Sequence, residues 1–328
     1  MIDEIYPRLF LEVIPDKLKE SCEDFKSLTD GIHRDADVSQ IFSKLVRDIY
    51  QKDPNSNIGL LYGKYLWPQT LCDYTRGIMT SEDIGSAIYL TERTHRAHGA
   101  CYYPFMSQDN GVFALSLTFP FKAKVSALQR RFCSEAVFSF SANCIKSIAD
   151  PDFSPIRVCF DFPEPLYSGE YKLVFGDNVE FDAPLNMMEI DDRYLSKRLA
   201  TSNPILHQMF LKKSMIGQQE KYYSSTDFEQ SAIACMIQHH PKSYSCEDIA
   251  SRMNISVRGF QQRLQHSGVT FSEISNRTRR ELAKVYLVQE NRTIDWTTDK
   301  LGFQSRSGFS RFFRKEFRST PSEFLATL

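Results

Sequence analysis

Apolar positions along this chain change their period several times. Ile41, Leu45 and Ile49, with Phe42 and Val46, share one face at helical spacing and predict a helix over residues 31–50. Lys52-Asp-Pro-Asn-Ser-Asn57 breaks it, and a second helix is expected over residues 81–97 behind a Ser81-Glu82-Asp83 cap. The texture then becomes aromatic and β-branched. Gly99–Tyr103 and Gly111–Phe121, punctuated by Pro104, Gly111 and Pro120, predict paired strands. Helical spacing returns over residues 122–149 through Leu128, Phe132, Val137, Phe140 and Ile145, and Ile156–Phe162 and Val179–Phe181 predict further short strands. A helix over Ile205–Gln218 leads into a polar stretch, Gln218–Thr226, and from Asp227 onward every segment has helical periodicity. The expected fold is therefore an α+β N-terminal domain over residues 1–200, a linker helix and linker over 201–226, and an all-α C-terminal domain over 227–328.

Within that last domain one pattern occurs twice, about 48 residues apart, starting at Cys246 and at Ile294. In the first copy Ser245 can cap a helix whose Ile249, Ala250 and Met253 share a face, and Asn254-Ile255-Ser256 makes a turn. The next helix directs Phe260 and Leu264 inward and leaves Val257, Arg258, Gln261, Gln262 and Gln265 outside. In the second copy Ile294 and Leu301 take the inner positions, Gly302-Phe303 makes the turn, and Phe309, Phe312 and Phe313 anchor the second helix. Gln304, Arg306, Ser307, Ser310, Arg311, Arg314 and Lys315 face outward. A support helix, a tight turn and a polar-faced second helix make a helix-turn-helix. Arginine can reach guanine O6 and N7 together, and glutamine can pair with adenine N6 and N7. A polar face on one such helix is usually only solvated; the same construction twice favours two units that read DNA.

A long helix over about Ser272–Val288 lies between the copies, with Ile274, Leu282, Val285 and Tyr286 inward and Arg277, Arg279 and Arg280 near its middle. Such a stiff connector could hold two reading helices about one DNA turn (~34 Å) apart, on a site that need not be palindromic. Charge agrees with this division. Residues 225–328 hold 15 Lys and Arg against 11 Asp and Glu, whereas residues 1–224 hold 25 against 30, so the net −1 hides a basic tail behind an acidic body.

The second copy and its sequel, Leu301-Gly302-Phe303 through Phe309-Ser-Arg311-Phe312-Phe313-Arg314 to Phe317 and the closing Thr320-Pro321-Ser-Glu-Phe324, resemble the DNA-binding domain of the AraC/XylS family of bacterial transcription regulators. The resemblance covers about residues 227–326. It implies base contacts from Arg258, Gln261 and Gln262 in the first copy and from Arg306, Ser307, Ser310 and Arg311 in the second. Phosphate contacts are expected from Ser256, Arg263, Gln304, Arg314, Lys315 and Arg318. Three positions depart from the family pattern. Thr297-Thr298 stand where an apolar residue and alanine are usual, which implies looser packing; Gln262 replaces a common arginine; Arg318 replaces glycine. Ile58-Gly-Leu-Leu-Tyr-Gly63, the Ser81–Thr94 segment and Tyr171–Asn186 resemble the arabinose-binding-type effector domain of the ornithine-utilisation-regulator-like subgroup. That likeness implies signal sensing or dimer formation, with the effector-binding residues unassigned.

The expected partners are promoter DNA at an asymmetric site, RNA polymerase, a small-molecule effector and a second copy of the chain. The expected function is sequence-specific transcription regulation, with activation favoured. An enzyme carrying a DNA-binding tail is the competing reading; it would need an activated or metal-bound cysteine cluster. The eight cysteines are scattered without a Cys-x-x-Cys pair, which fits free thiols in a reducing, cytoplasmic setting. The N-terminus lacks a signal-peptide pattern, and Val112–Phe121 is too short to span a membrane. His95 and His98 near Cys101 make a poor metal set, and Gly59-Leu-Leu-Tyr-Gly63 lacks the Lys-Ser/Thr of a phosphate loop. No metal, cofactor or catalytic residue is expected, and the aromatic stretch Tyr102–Phe121 is expected to be sheet core rather than a pocket lining.

Overall fold

The computed structural model describes residues 46–65, 73–95, 102–119, 125–166, 168–216, 228–239 and 245–327. Its first part holds helices α1 (Ile58–Tyr65), α2 (Asp73–Met79), α3 (Ile84–His95), α4 (Ala127–Ile148), α5 (Ser168–Phe175) and α6 (Pro204–Ile216). Strands β1 (Tyr103–Asp109), β2 (Val112–Thr118), β3 (Arg157–Cys159), β4 (Val179–Glu180) and β5 (Asn186–Asp191) form one sheet in the order β1-β2-β5-β3-β4. Only the β3–β4 pair is parallel. The remainder is helical: α7 (Phe228–His239), α8 (Cys246–Arg252), α9 (Val257–His266), α10 (Phe271–Lys284), α11 (Ile294–Lys300), α12 (Arg306–Phe317) and α13 (Pro321–Ala326). The α+β body and the all-α tail with two helix-turn-helix units stand as the periodicity predicts.

Several boundaries differ. Of the helix expected over 31–50, residues 46–52 are helical; residues 31–45, like the polar stretch 218–226, His98 and Cys101, lie outside the described residues. Strand β1 starts at Tyr103, after a bend at Tyr102, and runs through Pro104; residues 99–101 of the expected strand lie outside the described residues. Proline is tolerated there because β1 lies at the sheet edge, where it pairs only with β2. The hairpin turns at Asn110-Gly111, whose φ values of 48° and 82° give the two left-handed residues of a tight strand connection. The cap of α3 is Asp83, whose Oδ1 accepts from Ser86 N at 2.7 Å; Ser81 is buried and its hydroxyl donates to Gly77 O. Periodicity misses α1, α2, α5 and β5. Strand β5, Asn-Met-Met-Glu-Ile-Asp, pairs with both β2 and β3; Asn186, Met187 and Met188 are buried in a row and only Glu189 and Asp191 are half-buried, so the alternation is confined to its last residues and is too short to mark a strand.

One face of the sheet carries Phe113, Leu117, Val158, Met188 and Ile190 into the main core. The other carries Ala114, Cys159 and Met187, which with Leu185 form a small second core. Helix α4 is closed at its start by a capping box between Ser126 and Gln129. Helix α1 crosses α4 closely through its two glycines. A Cβ on Gly59 would sit 2.4 Å from Glu135 Oε2, and one on Gly63 would sit 2.3 Å from Ala136 O. The glycine pair is thus a helix-crossing device. It brings the fully buried Glu135 under α1, where its carboxylate accepts from Arg131 Nε at 2.8 Å, from Tyr50 OH at 3.1 Å and from Tyr171 OH. Burial pushes this carboxyl above its ordinary range, while Arg131 and the two hydroxyls pull the other way.

Alanine is the better helix former, yet Gly63→Ala is expected to destabilise the chain by ~2 kcal/mol, because the added methyl meets backbone that cannot retreat. Denaturant unfolding measures this; equal or greater stability would mean that the helices do not cross at this distance.

Candidate nucleic-acid interface

The two repeats superpose in sequence at an offset of 48 residues through the turn and 49 after it. In the first, Ser245 Oγ accepts from Asp248 N at 3.0 Å and starts α8, with Glu247 and Asp248 in its first turn. In the second, Thr293 caps α11 by accepting from Trp296 N. Each support helix is seven residues long. Asn254 (φ 55°) and Gly302 (φ 74°) close them in the left-handed conformation. Ile255 N then donates to Ala250 O and Phe303 N to Thr298 O, both at 3.0 Å.

The extra residue of the second turn lies between Phe303 and the next cap. Ser256 Oγ receives Gly259 N at 3.1 Å to start α9, and Ser305 Oγ receives Gly308 N at 3.1 Å to start α12. Ser305 was absent from the expected site residues, although its offset of 49 from Ser256 marks it. With these caps aligned, Phe260 and Leu264 correspond to Phe309 and Phe313, and all four are buried. Phe312 is only partly buried, and Val257 also packs partly against the core instead of standing free.

The outward faces hold most of the expected readers. Arg258, Gln261 and Gln262 are exposed on α9, and Arg306, Ser307 and Arg311 on α12, while Ser310 is half-buried. Ser256, Arg263, Gln304, Arg314, Lys315 and Arg318 are exposed as well. Several of these groups are engaged within the chain. Arg306 Nη1 lies 3.3 Å from Asp295 Oδ1 on α11, with both side chains more than half exposed. The Arg263 guanidinium lies 5.5 Å over the Phe228 ring. Arg318 stands in the left-handed region, φ 62°, as the residue that ends α12. Its departure from glycine therefore has a backbone cost of ~1 kcal/mol as well as a charge.

The three arginines of the connector are structural ties. Arg277 Nη1 lies 3.4 Å from Glu229 Oε1 on α7. Arg279 Nε donates to Leu301 O at 3.1 Å and lies 5.1 Å over Phe303, and Arg280 lies 5.5 Å over Phe317. Ile274, Leu282, Val285 and Tyr286 are buried as expected. The closing Thr320-Pro321-Ser-Glu-Phe324 starts α13: Thr320 and Glu323 form a capping box, and Phe324 lies 5.4 Å from Phe313 and 5.3 Å from Phe317. The Thr320 backbone N–H holds the Glu323 carboxyl below its usual range.

Of the two residues expected inward in α11 and its end, Leu301 is fully buried and Ile294 only half-buried; Thr297 and Thr298 join Leu301 on the inner face. Thr298 Oγ1 donates to Ile294 O at 2.7 Å, whereas Thr297 Oγ1 is buried without a hydrogen-bond partner. No metal-holding group of three His, Cys, Asp or Glu occurs among the described residues. Burial pushes the Cys144 and Cys159 thiols up to about 12, which leaves them protonated and poor nucleophiles at neutral pH. Among the described residues no helix is long and apolar enough to cross a membrane.

Two capped helix-turn-helix units on a shared connector, behind a mixed α/β body, define a DNA-binding transcription regulator. Residues 38–199 match the family described as the arabinose-binding N-terminal domain of AraC transcription regulators, and residues 249–327 match a helix-turn-helix domain family; the chain belongs to the AraC family. It is similar to the ornithine utilization regulator of Pseudomonas aeruginosa, with 23% identity over 81% of this chain and 78% of that one. It is 33% identical to the transcriptional activator RhaS of Escherichia fergusonii over 28% of this chain and 33% of that one. The crystal structure of the regulator CdpR from Pseudomonas aeruginosa covers 93% of this chain and 96% of its own with a TM-score of 0.46 at 14% identity.

Because Thr297 carries a buried hydroxyl without a partner, Thr297→Val is expected to raise the thermal stability of the full chain by the equivalent of ~1 kcal/mol. An unchanged or lower melting temperature would show that this hydroxyl is hydrated or bonded in solution.

Proposed function

We propose that this regulator reads an asymmetric promoter site through two successive major-groove segments and is an activator rather than an enzyme. The observation that supports this reading is the same on both second helices. Arg258, Gln261 and Gln262 on α9, and Arg306, Ser307 and Arg311 on α12, are exposed opposite the buried Phe260–Leu264 and Phe309–Phe313 anchors. Bases are read by these side chains and by the half-buried Ser310, and phosphates are held by Ser256, Arg263, Gln304, Arg314, Lys315 and Arg318. The activator named among the relatives matches the DNA-binding part, which favours activation through contact with RNA polymerase. Residues 1–200 respond to a small molecule or pair two copies of the chain, 201–226 link, and 227–328 bind DNA.

Selection of the full chain on random duplexes is expected to return two unlike sequence blocks about one helical turn apart, and a single enriched block would defeat the two-segment reading. Arg311→Ala should cost ~1–3 kcal/mol and relax base choice at one position; an equal loss on every sequence would make Arg311 a phosphate contact instead. Arg318→Ala should lower the salt dependence of binding by ~1 in slope. An unchanged slope would leave Arg318 with only its backbone role.

A further inference from the structure

The outer face of the sheet is met by a single turn of the connector. Beyond Lys284 the helix α10 widens, and Val285–Gln289 are wound as a π-turn, with Glu290 N donating to Val285 O at 2.9 Å and Arg292 N to Tyr286 O at 2.8 Å. Such turns interrupt α-helices rarely, and often at functional positions. The Gln289 side chain, though polar, is only 9% exposed. Its Nε2 faces Phe105 O at 3.2 Å, Ser107 Oγ at 3.1 Å and Ala114 O at 3.1 Å, and its Oε1 accepts from the buried Ser116 hydroxyl. Two carbonyls demand a donor and one hydroxyl offers a proton, so the amide has one orientation that satisfies all of them. Beside it, Val288 packs on the small core of Ala114, Cys159, Leu185 and Met187.

We infer that Gln289 is a positioning residue for DNA reading: held by the β1–β2 hairpin, it keeps residues 285–289 in π pitch and so sets the rotational phase of the second helix-turn-helix relative to the first. The inference rests on the two-segment reading above. A π-turn takes in one more residue than an α-turn, so return to α pitch would rotate everything after it by roughly one residue's step about the axis. The π-turn leads directly into α11, and Tyr286 within it meets Trp296 of α11 edge-on at 5.2 Å. In the latched state the candidate reading residues of both units remain exposed, so the latch aligns the reading heads and does not cover them. A shift of the hairpin, whatever moves it, would reach the DNA as an altered preference for the spacing of the two blocks.

The test uses the full chain, duplexes carrying both selected blocks with the second displaced in single base-pair steps, and a duplex with one block. Gln289→Ala removes the amide; Gln289→Glu turns a carboxylate toward the carbonyls of Phe105 and Ala114. Both are expected to weaken binding at the best spacing about tenfold, the worth of one or two hydrogen bonds, and to flatten the spacing preference. One-block binding should stay within about twofold, since no reading residue is touched. Ser116→Val, on the sheet side of the contact, should move spacing preference in the same direction. Amide exchange should rise together in residues 105–116 and 285–289. Loss on all duplexes alike, or flattening by connector substitutions but not by Ser116→Val, would overturn the latch. If the unsubstituted chain binds every spacing alike, the two-segment reading fails on its own, and exchange alone decides the latch. A joint rise in Gln289→Glu upholds the latch, and a rise confined to 285–289 overturns it.

Discussion

Two seven-residue helices, α8 and α11, hold the reading helices in place, and helices this short do not persist alone in water. Everything in the DNA-binding half depends on how they are anchored. Each is capped at its start, closed by a left-handed residue and pressed against a second helix by two buried anchors, Phe260 with Leu264 and Phe309 with Phe313. Truncating a fully buried phenylalanine typically costs ~3–5 kcal/mol, against ~1 kcal/mol for a cap, so the anchors dominate and the caps refine. The connector completes the support. Its arginines face carbonyl, carboxylate and aromatic partners, so part of the basic excess of residues 225–328 is spent inside the protein and not on phosphate.

Most of this half was legible in the sequence, and much less of the other half was. The 48-residue repeat, with serine caps and paired anchors, gives local signals that agree with one another. The N-terminal body lacks such agreement. Strand β5 starts with three buried residues in a row and alternates only briefly after them, and α1 begins with an Ile-Gly-Leu-Leu run whose glycines argue against a helix. Those glycines are explained only by the passage of α4 at Glu135 and Ala136, a contact across more than seventy residues of chain. Glu135 shows the same thing: its partners Tyr50 and Tyr171 come from distant segments, and no local pattern predicts a buried carboxylate there. Asp295 was equally hidden, since its pairing with Arg306 follows from how α11 meets α12.

The two reading units share a plan without sharing strength or chemistry. Where the first packs Ala250 under its second helix, the second packs Thr298, whose hydroxyl is consumed by its own helix at Ile294 O. That keeps the close crossing at the cost of a bulkier contact, and the loosening expected from Thr297-Thr298 is offset by the stacked ring pair Phe313–Phe317 at 4.1 Å and by Phe324. After the two aligned caps, Ser256 and Ser305, the outward faces also start differently. At the start of α12 stands Arg306, where α9 has the half-buried Val257, so the second unit leads with a cation already paired to Asp295. An exposed pair of this kind is worth little in stability, ~0–1 kcal/mol, but it holds a long side chain near one direction before DNA arrives. The asymmetry of the repeat is thus written in packing as well as in the outward residues.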